Sequence, residues 1–123
     1  MIKRFLHLAV TVDDLAASMA TYEALGMKEV ERFESVSLGS SVVLLEDQHG
    51  TGIELWQFTD PNHPHVKIIE GHMAYESDSL EEDTQSLLNR GFTVAIPQAE
   101  DDTLRFVHLL SPDGKSIELC QYK

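Results

Sequence analysis

The chain has 123 residues, which is enough for one folded domain with its own hydrophobic core but not for two independent domains. Nine Lys and Arg residues stand against 21 Asp and Glu residues, and the formal net charge of −12 disfavours nucleic acid and anionic membranes as partners. No apolar run approaches the length of a membrane span, the first residues lack the pattern of a signal peptide, and the single cysteine, Cys120, has no internal disulfide partner. These features predict a cytoplasmic protein whose partner is a small molecule.

The first predicted element is a strand over residues 5–12, in which side chains alternate between two faces. One face carries Leu6, Leu8, Val10 and Val12 and is expected to be covered by the helix, and the other carries Phe5, His7, Ala9 and Thr11. A helix over residues 14–25 follows, with Asp13 or Asp14 as its N-cap and Gly26 at its end. Its inner face is expected to carry Leu15, Ser18, Met19, Tyr22 and Leu25. Extended runs at 28–35, 40–46 and 52–58 complete a β-α-β-β-β unit.

The second half of the chain predicts the same elements in the same order. An extended segment containing His72 precedes a helix over residues 79–90, for which Asp78 or Ser79 is the expected N-cap and Gly91 the expected end. Ser79 and Glu82 have the spacing of a capping box. Extended runs at 92–96, 104–110 and 116–122 follow, and the only loop-like break in the chain lies between the halves, at 60–65.

The two halves are therefore copies of one supersecondary unit. His72 follows His7 by 65 positions, and Glu118 follows Glu54 by 64 positions, so the offset is nearly constant along the chain. We expect a single domain of residues 1–123, made of a module at 1–59, a linker at 60–65 and a module at 66–123. The predicted fold class is α+β, with two β-α-β-β-β modules forming a curved mixed sheet around a metal-binding cleft.

The repeat places a matched set of metal-ligating side chains on the predicted cleft faces. In the last strand of each copy, Glu54 and Glu118 point away from the Ile and Leu residues that pack beneath the helices. A carboxylate in an apolar strand is costly to bury without a partner, and each glutamate is matched by a histidine, His7 or His72. Either residue type alone is more often a satisfied core or solvent-facing side chain. Two matched pairs are best explained by one divalent cation, which imidazole and carboxylate ligands suit.

These segments carry a resemblance to a known superfamily over essentially the whole chain. The chain resembles the vicinal oxygen chelate superfamily, the fold of glyoxalase I, bleomycin-resistance proteins and extradiol dioxygenases. The segments that look alike are HLAVTVDDL at 7–15, YEALGM at 22–27, GHMA at 71–74 and SPDGKSIEL at 111–119. The order His, Glu, His, Glu is similar to glyoxalase I, whereas other branches use two His and one Glu, or lack the ligands. Methylmalonyl-CoA epimerases differ at the position of Glu54.

The resemblance implies a metal-dependent lyase or isomerase. Its substrate would be a small vicinal-oxygen compound, such as the hemithioacetal of methylglyoxal with a thiol. The reaction would be a proton transfer through a metal-stabilised ene-diolate, with Glu54 or Glu118 as the residue that moves the proton. Nickel or zinc is the favoured metal, with cobalt, iron and manganese as further options. The resemblance also implies a homodimer.

Other residues on the predicted cleft faces are weaker candidates for substrate contacts. They are Trp56, Phe58, Cys120, Tyr122 and Arg105, and for Trp56 and Phe58 a packed core position is an equal alternative. Cys120 is more often small core filler. His108 is interpreted as a plain strand residue, although a role as a fifth polar group in the cleft stays open. His63 and His65 are expected to be solvent-exposed loop residues.

Three functions stay open on the sequence alone. The first is the glyoxalase I-like lyase, and the second is a thiol transferase or dioxygenase of the same superfamily. The third is a dimeric, non-enzymatic protein that binds a small molecule or antibiotic between aromatic side chains. The sequence also leaves open whether the two copies pair within one chain or across a dimer.

Overall fold

A computed structural model describes all 123 residues, and its helices and strands follow the predicted order. The elements are β1 (Ile2–Thr11), α1 (Leu15–Ala24), β2 (Lys28–Ser35), β3 (Ser40–Glu46), β4 (Gly52–Phe58), α2 (Val66–Ile69), β5 (Met73–Ser77), α3 (Leu80–Leu88), β6 (Thr93–Glu100), β7 (Leu104–Leu110) and β8 (Ser116–Tyr122). The one-turn helix α2 is the single element that the sequence pattern does not predict. None of the helices combines the length and apolar character that crossing a bilayer requires.

The chain divides into two compact units, which we call the N-terminal unit (His7–Gly71) and the C-terminal unit (Met1–Leu6 with His72–Lys123). In the N-terminal unit the strands lie in the order β2-β3-β4-β1, with β1 parallel to β4 and the other neighbours antiparallel. In the C-terminal unit the order is β6-β7-β8-β5, with β5 parallel to β8. Two β-α-β-β-β modules and the α+β class are therefore confirmed. The module bounds of 1–59 and 66–123, with a linker at 60–65, stay a prediction.

The two units bury equivalent apolar side chains between helix and sheet. The N-terminal core contains Leu15, Val43, Leu45 and Leu55, and the C-terminal core contains Leu80, Val107, Leu109 and Leu119. Each residue of the second set follows its counterpart by 64 or 65 positions, which is the offset of the sequence repeat. In both units one face of the sheet is covered by the unit's own helix, so Glu54 of β4 and Glu118 of β8 lie on the opposite face.

In both long helices a glutamine of the last strand binds the first helical N–H, and a glycine follows the last turn. Gln57 Oε1 accepts a hydrogen bond from the N–H of Leu15 at 2.8 Å, and Gln121 Oε1 accepts one from the N–H of Leu80 at 3.0 Å. A helix start leaves unpaired N–H groups, so the last strand of each module satisfies one of them. Gly26 and Gly91 end the helices with φ angles of 93° and 95°, in the left-handed region that favours glycine.

Three details of the predicted packing are wrong. Leu8 is 39% exposed, although Val10 and Val12 of the same strand face pack against the N-terminal core. Leu25 is 72% exposed because it lies at the C-cap, where the last turn of α1 leaves the sheet. The capping box does not form, because the side chain of Ser79 makes no capping hydrogen bond.

Candidate metal centre

In the last strand of the N-terminal unit, β4, side chains alternate between the two faces of the sheet. Leu55 lies in the core beneath α1, with Ile53 packed against it. Glu54, Trp56 and Phe58 therefore point to the opposite face. Glu54 and Trp56 are both buried there, so the predicted position of this carboxylate in a low-dielectric environment is correct.

The N-terminal unit brings His7 and Glu54 together, and we call this pair the N-terminal half-site. His7 Nε2 lies 3.2 Å from Glu54 Oε1, and both side chains are about one-tenth exposed. The pairing of β1 with β4 places Ala9 opposite Glu54, which brings His7 to the neighbouring position on the same face. The indole N–H of Trp56 also donates to Glu54 Oε1, at 2.6 Å. The carboxylate is thus held by two nitrogen-bearing side chains.

A row of aromatic rings continues from Trp56 along this face. Trp56 stacks on Phe58 with ring centres 6.0 Å apart, and Phe58 contacts the ring of His63 at 5.7 Å. His63 in turn contacts His65 at 5.2 Å. Both histidines are half-buried, so the expectation that they are solvent-exposed is wrong. The reason is that the 60–65 segment folds back over the end of β4, where the Phe58 ring offers an apolar surface.

A cavity of about 360 Å³ adjoins this row within the N-terminal unit. Its lining combines polar and apolar side chains: Thr11, Val12, Asp13, Gln57, Phe58, Thr59, Pro61 and Val66. Phe58 is common to the cavity and to the aromatic row. The cavity is of the size that small-molecule sites occupy.

The C-terminal unit brings together His72 and Glu118, which we call the C-terminal half-site. His72 Nε2 lies 3.4 Å from Glu118 Oε1, and the His72 side chain is fully buried. A third residue joins them, because His108 Nε2 lies 3.2 Å from Glu118 Oε2. The interpretation of His108 as a plain strand residue is therefore wrong. The rings of His72 and His108 meet edge to face, with centres 5.0 Å apart.

The surroundings of Glu118 favour its ionised form. Burial by itself raises the pKa of this carboxyl group, but His108 and His72 outweigh burial and hold the pKa well below its usual value. The two imidazoles act through their charge and through hydrogen bonds to the carboxylate. Glu118 is thus ionised at neutral pH, and the ionised carboxylate is the form that binds a cation.

Strand register is the signal that identifies His108. In the β7–β8 hairpin His108 lies directly opposite Glu118, and directly opposed side chains on one face are in contact. The repeat gives no hint of it, because the equivalent residue in the first copy is Leu44, which lies opposite Glu54. Counting residues back from Glu118 through the tight turn at Gly114 gives His108 as the residue opposite it.

The weaker substrate-contact candidates separate onto two faces. Cys120 and Tyr122 share the face of Glu118, where Cys120 is buried and Tyr122 is 53% exposed. Arg105 lies on the opposite face, together with the core residues Val107 and Leu109, and its guanidinium contacts Glu81 of α3. Arg4, a further basic residue, donates to Glu76 Oε2 at 2.7 Å. The expectation that Arg105 faces the metal-ligand side of the sheet is not supported.

The donor set of each half-site fits a divalent transition metal. Each half-site offers one imidazole nitrogen and one carboxylate oxygen, and both groups are buried. Zinc, nickel, cobalt, iron and manganese accept this combination, whereas calcium and magnesium prefer oxygen ligands alone. The buried carboxylates are the chemical reason for a cation, since a buried charge is stable only when it is paired.

The family model of the Glyoxalase/Bleomycin resistance protein/Dioxygenase superfamily matches residues 4–119. The chain belongs to this superfamily. The resemblance found in the sequence is thereby confirmed over nearly its full length. Comparison with curated protein sequences gave no match.

Solved structures show that the same fold occurs in other members. A hypothetical protein of Bacillus halodurans has a TM-score of 0.82 at 23% identity, with 98% of this chain and 94% of that chain covered. Methylmalonyl-CoA epimerase of Mycobacterium tuberculosis has a TM-score of 0.81 at 20% identity, covering 98% and 88%. A variant of the Streptomyces coelicolor epimerase, in complex with 2-nitronate-propionyl-CoA, has a TM-score of 0.79 at 20% identity, covering 98% of each chain. At these identities the likeness establishes the fold.

Proposed function

We propose that this superfamily member is a metal-dependent lyase or isomerase of the glyoxalase I type. Its substrate is a small vicinal-oxygen compound, such as the hemithioacetal of methylglyoxal and a thiol. The observation that carries the proposal is the occurrence of a buried His–Glu pair in each unit, at equivalent positions of the repeat. His7, Glu54, His72 and Glu118 would hold one divalent ion, nickel or zinc by preference. The two half-sites belong to one chain or to the two chains of a dimer.

The protein residues have separate tasks in this proposal. His7 and His72 would hold the ion through Nε2, the nitrogen that faces the glutamate in each half-site. A bound divalent cation supplies Lewis acidity toward the vicinal oxygens of a substrate. Glu54 or Glu118 would accept the proton at a carboxylate oxygen and return it to the adjacent carbon, which makes the transfer an isomerisation without net loss of atoms.

The aromatic row gives the substrate an apolar environment on the same face. Trp56 and Phe58 stack beside Glu54, so a substrate held at this carboxylate would meet aromatic rings. Exclusion of water by such rings strengthens the electrostatic interactions within the site. Cys120 and Tyr122 are the corresponding side chains of the C-terminal unit.

A second candidate function is epimerisation of an acyl-CoA, which also moves a proton next to a carbonyl group. The solved structures of the same fold favour it, because several are methylmalonyl-CoA epimerases. The net charge of −12 argues against a substrate as anionic as a CoA ester, and Glu54 departs from the epimerase pattern. We therefore rank epimerisation below the glyoxalase-type reaction as a candidate function.

Metal analysis combined with two assays separates these functions. We expect protein purified without chelator to contain nickel or zinc, and to accelerate the isomerisation of methylglyoxal hemithioacetals in a thiol-dependent, chelator-sensitive way. Activity on methylmalonyl-CoA instead would select the epimerase. A metal-containing protein inactive in both assays would point to a thiol transferase or dioxygenase. Absence of metal would favour the third function, that of a non-enzymatic protein that binds a small molecule.

We also propose that the protein forms a homodimer. The resemblance found in the sequence implies a homodimer, and Trp56, which is buried, offers no exposed apolar surface for one. Support comes instead from large apolar side chains that are exposed on β2 and the following turn, including Phe33 and Val36, and from the frequency of symmetric dimers. We expect light scattering at micromolar concentration to give twice the chain mass of 13.8 kDa. A monomeric mass would contradict the dimer.

A cytoplasmic location stays a prediction.

A further inference from the structure

Each buried glutamate receives a second nitrogen donor besides the histidine of its own half-site. For Glu54 the donor is the indole N–H of Trp56, two residues along the same strand, at 2.6 Å from Oε1. For Glu118 it is His108 on the neighbouring strand, whose Nε2 lies 3.2 Å from Oε2. All four side chains are buried, so these contacts are shielded from competition with bulk water.

The two donors are not equivalent in the repeat. The residue equivalent to Trp56 in the second copy is Cys120, and the residue equivalent to His108 in the first copy is Leu44. Leu44 occupies the same place opposite Glu54 that His108 occupies opposite Glu118. Each copy thus supplies one strong donor to its glutamate, but from a different strand position.

The environment of His108 fixes which of its ring nitrogens carries the proton. Nδ1 is buried and has no hydrogen-bond partner, whereas Nε2 faces the Glu118 carboxylate. A proton on Nδ1 alone would leave a buried N–H without an acceptor and would place the Nε2 lone pair against a carboxylate oxygen. Nε2 therefore carries a proton and donates it to Glu118.

We infer that Trp56 and His108 are positioning residues that orient the Glu54 and Glu118 carboxylates for metal binding; the inference rests on the proposed function. Glu118 shows the effect most directly, because Oε1 faces His72 while Oε2 is held by His108. The carboxylate cannot rotate without losing one of these contacts. Groups that hydrogen-bond to metal ligands typically change metal affinity by about 10- to 100-fold.

Metal affinity measured on four variants tests the positioning role. Trp56→Phe keeps an aromatic ring but removes the N–H, and His108→Leu installs the residue that the first copy has at the equivalent position. We expect each to weaken Zn²⁺ binding by about 10- to 100-fold in a chelator-competition titration. His108→Gln should restore much of the affinity, because its amide nitrogen reaches about as far as imidazole Nε2. His49→Gln, at an exposed histidine of the β3–β4 turn, should match the wild type.

The outcomes distinguish this inference from the proposed function. Unchanged Zn²⁺ affinity in Trp56→Phe and His108→Leu would overturn the inference while leaving the metal centre in place. Failure of His108→Gln to restore binding, with a changed absorption spectrum of the Co²⁺-loaded protein, would show that His108 is a ligand instead. A wild type that binds no metal would refute the proposed function.

The metal-free protein supplies a separate test of the contacts. Trp56 is the only tryptophan, so its indole N–H gives a single resonance in a ¹H–¹⁵N spectrum. We expect this resonance to move and its hydrogen exchange to accelerate in Glu54→Leu, which removes the acceptor. The ¹⁵N shifts of His108 should show the proton on Nε2. An indole resonance that is unchanged in Glu54→Leu, or a His108 ring with no proton on Nε2, would overturn the inference without reference to metal.

Discussion

Replacement of Glu54 or Glu118 by glutamine is expected to weaken metal binding by more than the 10- to 100-fold typical of residues that only contact a ligand. The amide keeps the volume of the carboxylate but removes its charge, which is the reason that a buried cation is stable beside it. One of the two glutamates also moves the proton. In the glyoxalase assay, replacing that glutamate should lower the catalytic rate further, since general acid–base groups contribute about 10²- to 10⁴-fold to the rate. Titration with Zn²⁺ and steady-state kinetics measure the two losses separately.

Glu31→Gln is the matched control, because Glu31 is exposed on β2 and lies outside both half-sites. It should bind metal and turn over substrate like the wild type. Circular dichroism of all three variants checks that the fold is intact, so that a loss of affinity reports on the ligands. Retention of full metal affinity in both Glu54→Gln and Glu118→Gln would contradict the assignment of these carboxylates as ligands.

Most of the fold follows from local pattern and from the repeat. The bounds of β2, β3, β4, β7 and β8 agree with the predicted runs to the residue. These strands are short and bounded by turn residues, and in β4 and β8 the Ile and Leu side chains alternate with other residue types, so one register places them beneath the helices. The repeat contributes what local pattern does not, because each copy confirms the interpretation of the other.

The errors arise where tertiary contacts decide the outcome. The helix α2 has only four residues, which is too short for a periodic signal. Leu25 has the spacing of an inner-face residue, but it is exposed because the helix has already ended there. His63 and His65 were expected in solvent because they flank a proline, and the contact with Phe58 depends on how the segment folds back.

The candidate metal centre shows the same division between pattern and tertiary structure. The pairing of His7 with Glu54 and of His72 with Glu118 could be predicted, because both copies carry the same residues at the same positions. The roles of Trp56 and His108 could not be predicted from the repeat, since the equivalent positions in the other copy hold Cys120 and Leu44. Symmetry in the sequence identifies what the two copies share, and the hydrogen-bond geometry identifies how they differ.

Truncation of one core leucine is expected to remove a large part of the stability of the fold. Leu45 and Leu109 are equivalent in the repeat, and both are fully buried between sheet and helix. Replacement of a buried leucine by alanine costs about 2–5 kcal/mol, because methyl groups lose their contacts and the cavity is only partly filled. Native domains have a free energy of unfolding of about 5–15 kcal/mol in total. Leu45→Ala and Leu109→Ala should each be severely destabilised.

Urea unfolding followed by far-ultraviolet circular dichroism measures the effect for each unit. Leu25→Ala is the control, since Leu25 is 72% exposed and its truncation should change the free energy of unfolding by less than about 0.5 kcal/mol. If the units unfold as one cooperative body, Leu45→Ala and Leu109→Ala should shift the whole transition, whereas independent units would give a transition with two phases. A free energy of unfolding unchanged in both variants would contradict the equivalent helix-covered cores on which the positions of Glu54 and Glu118 depend.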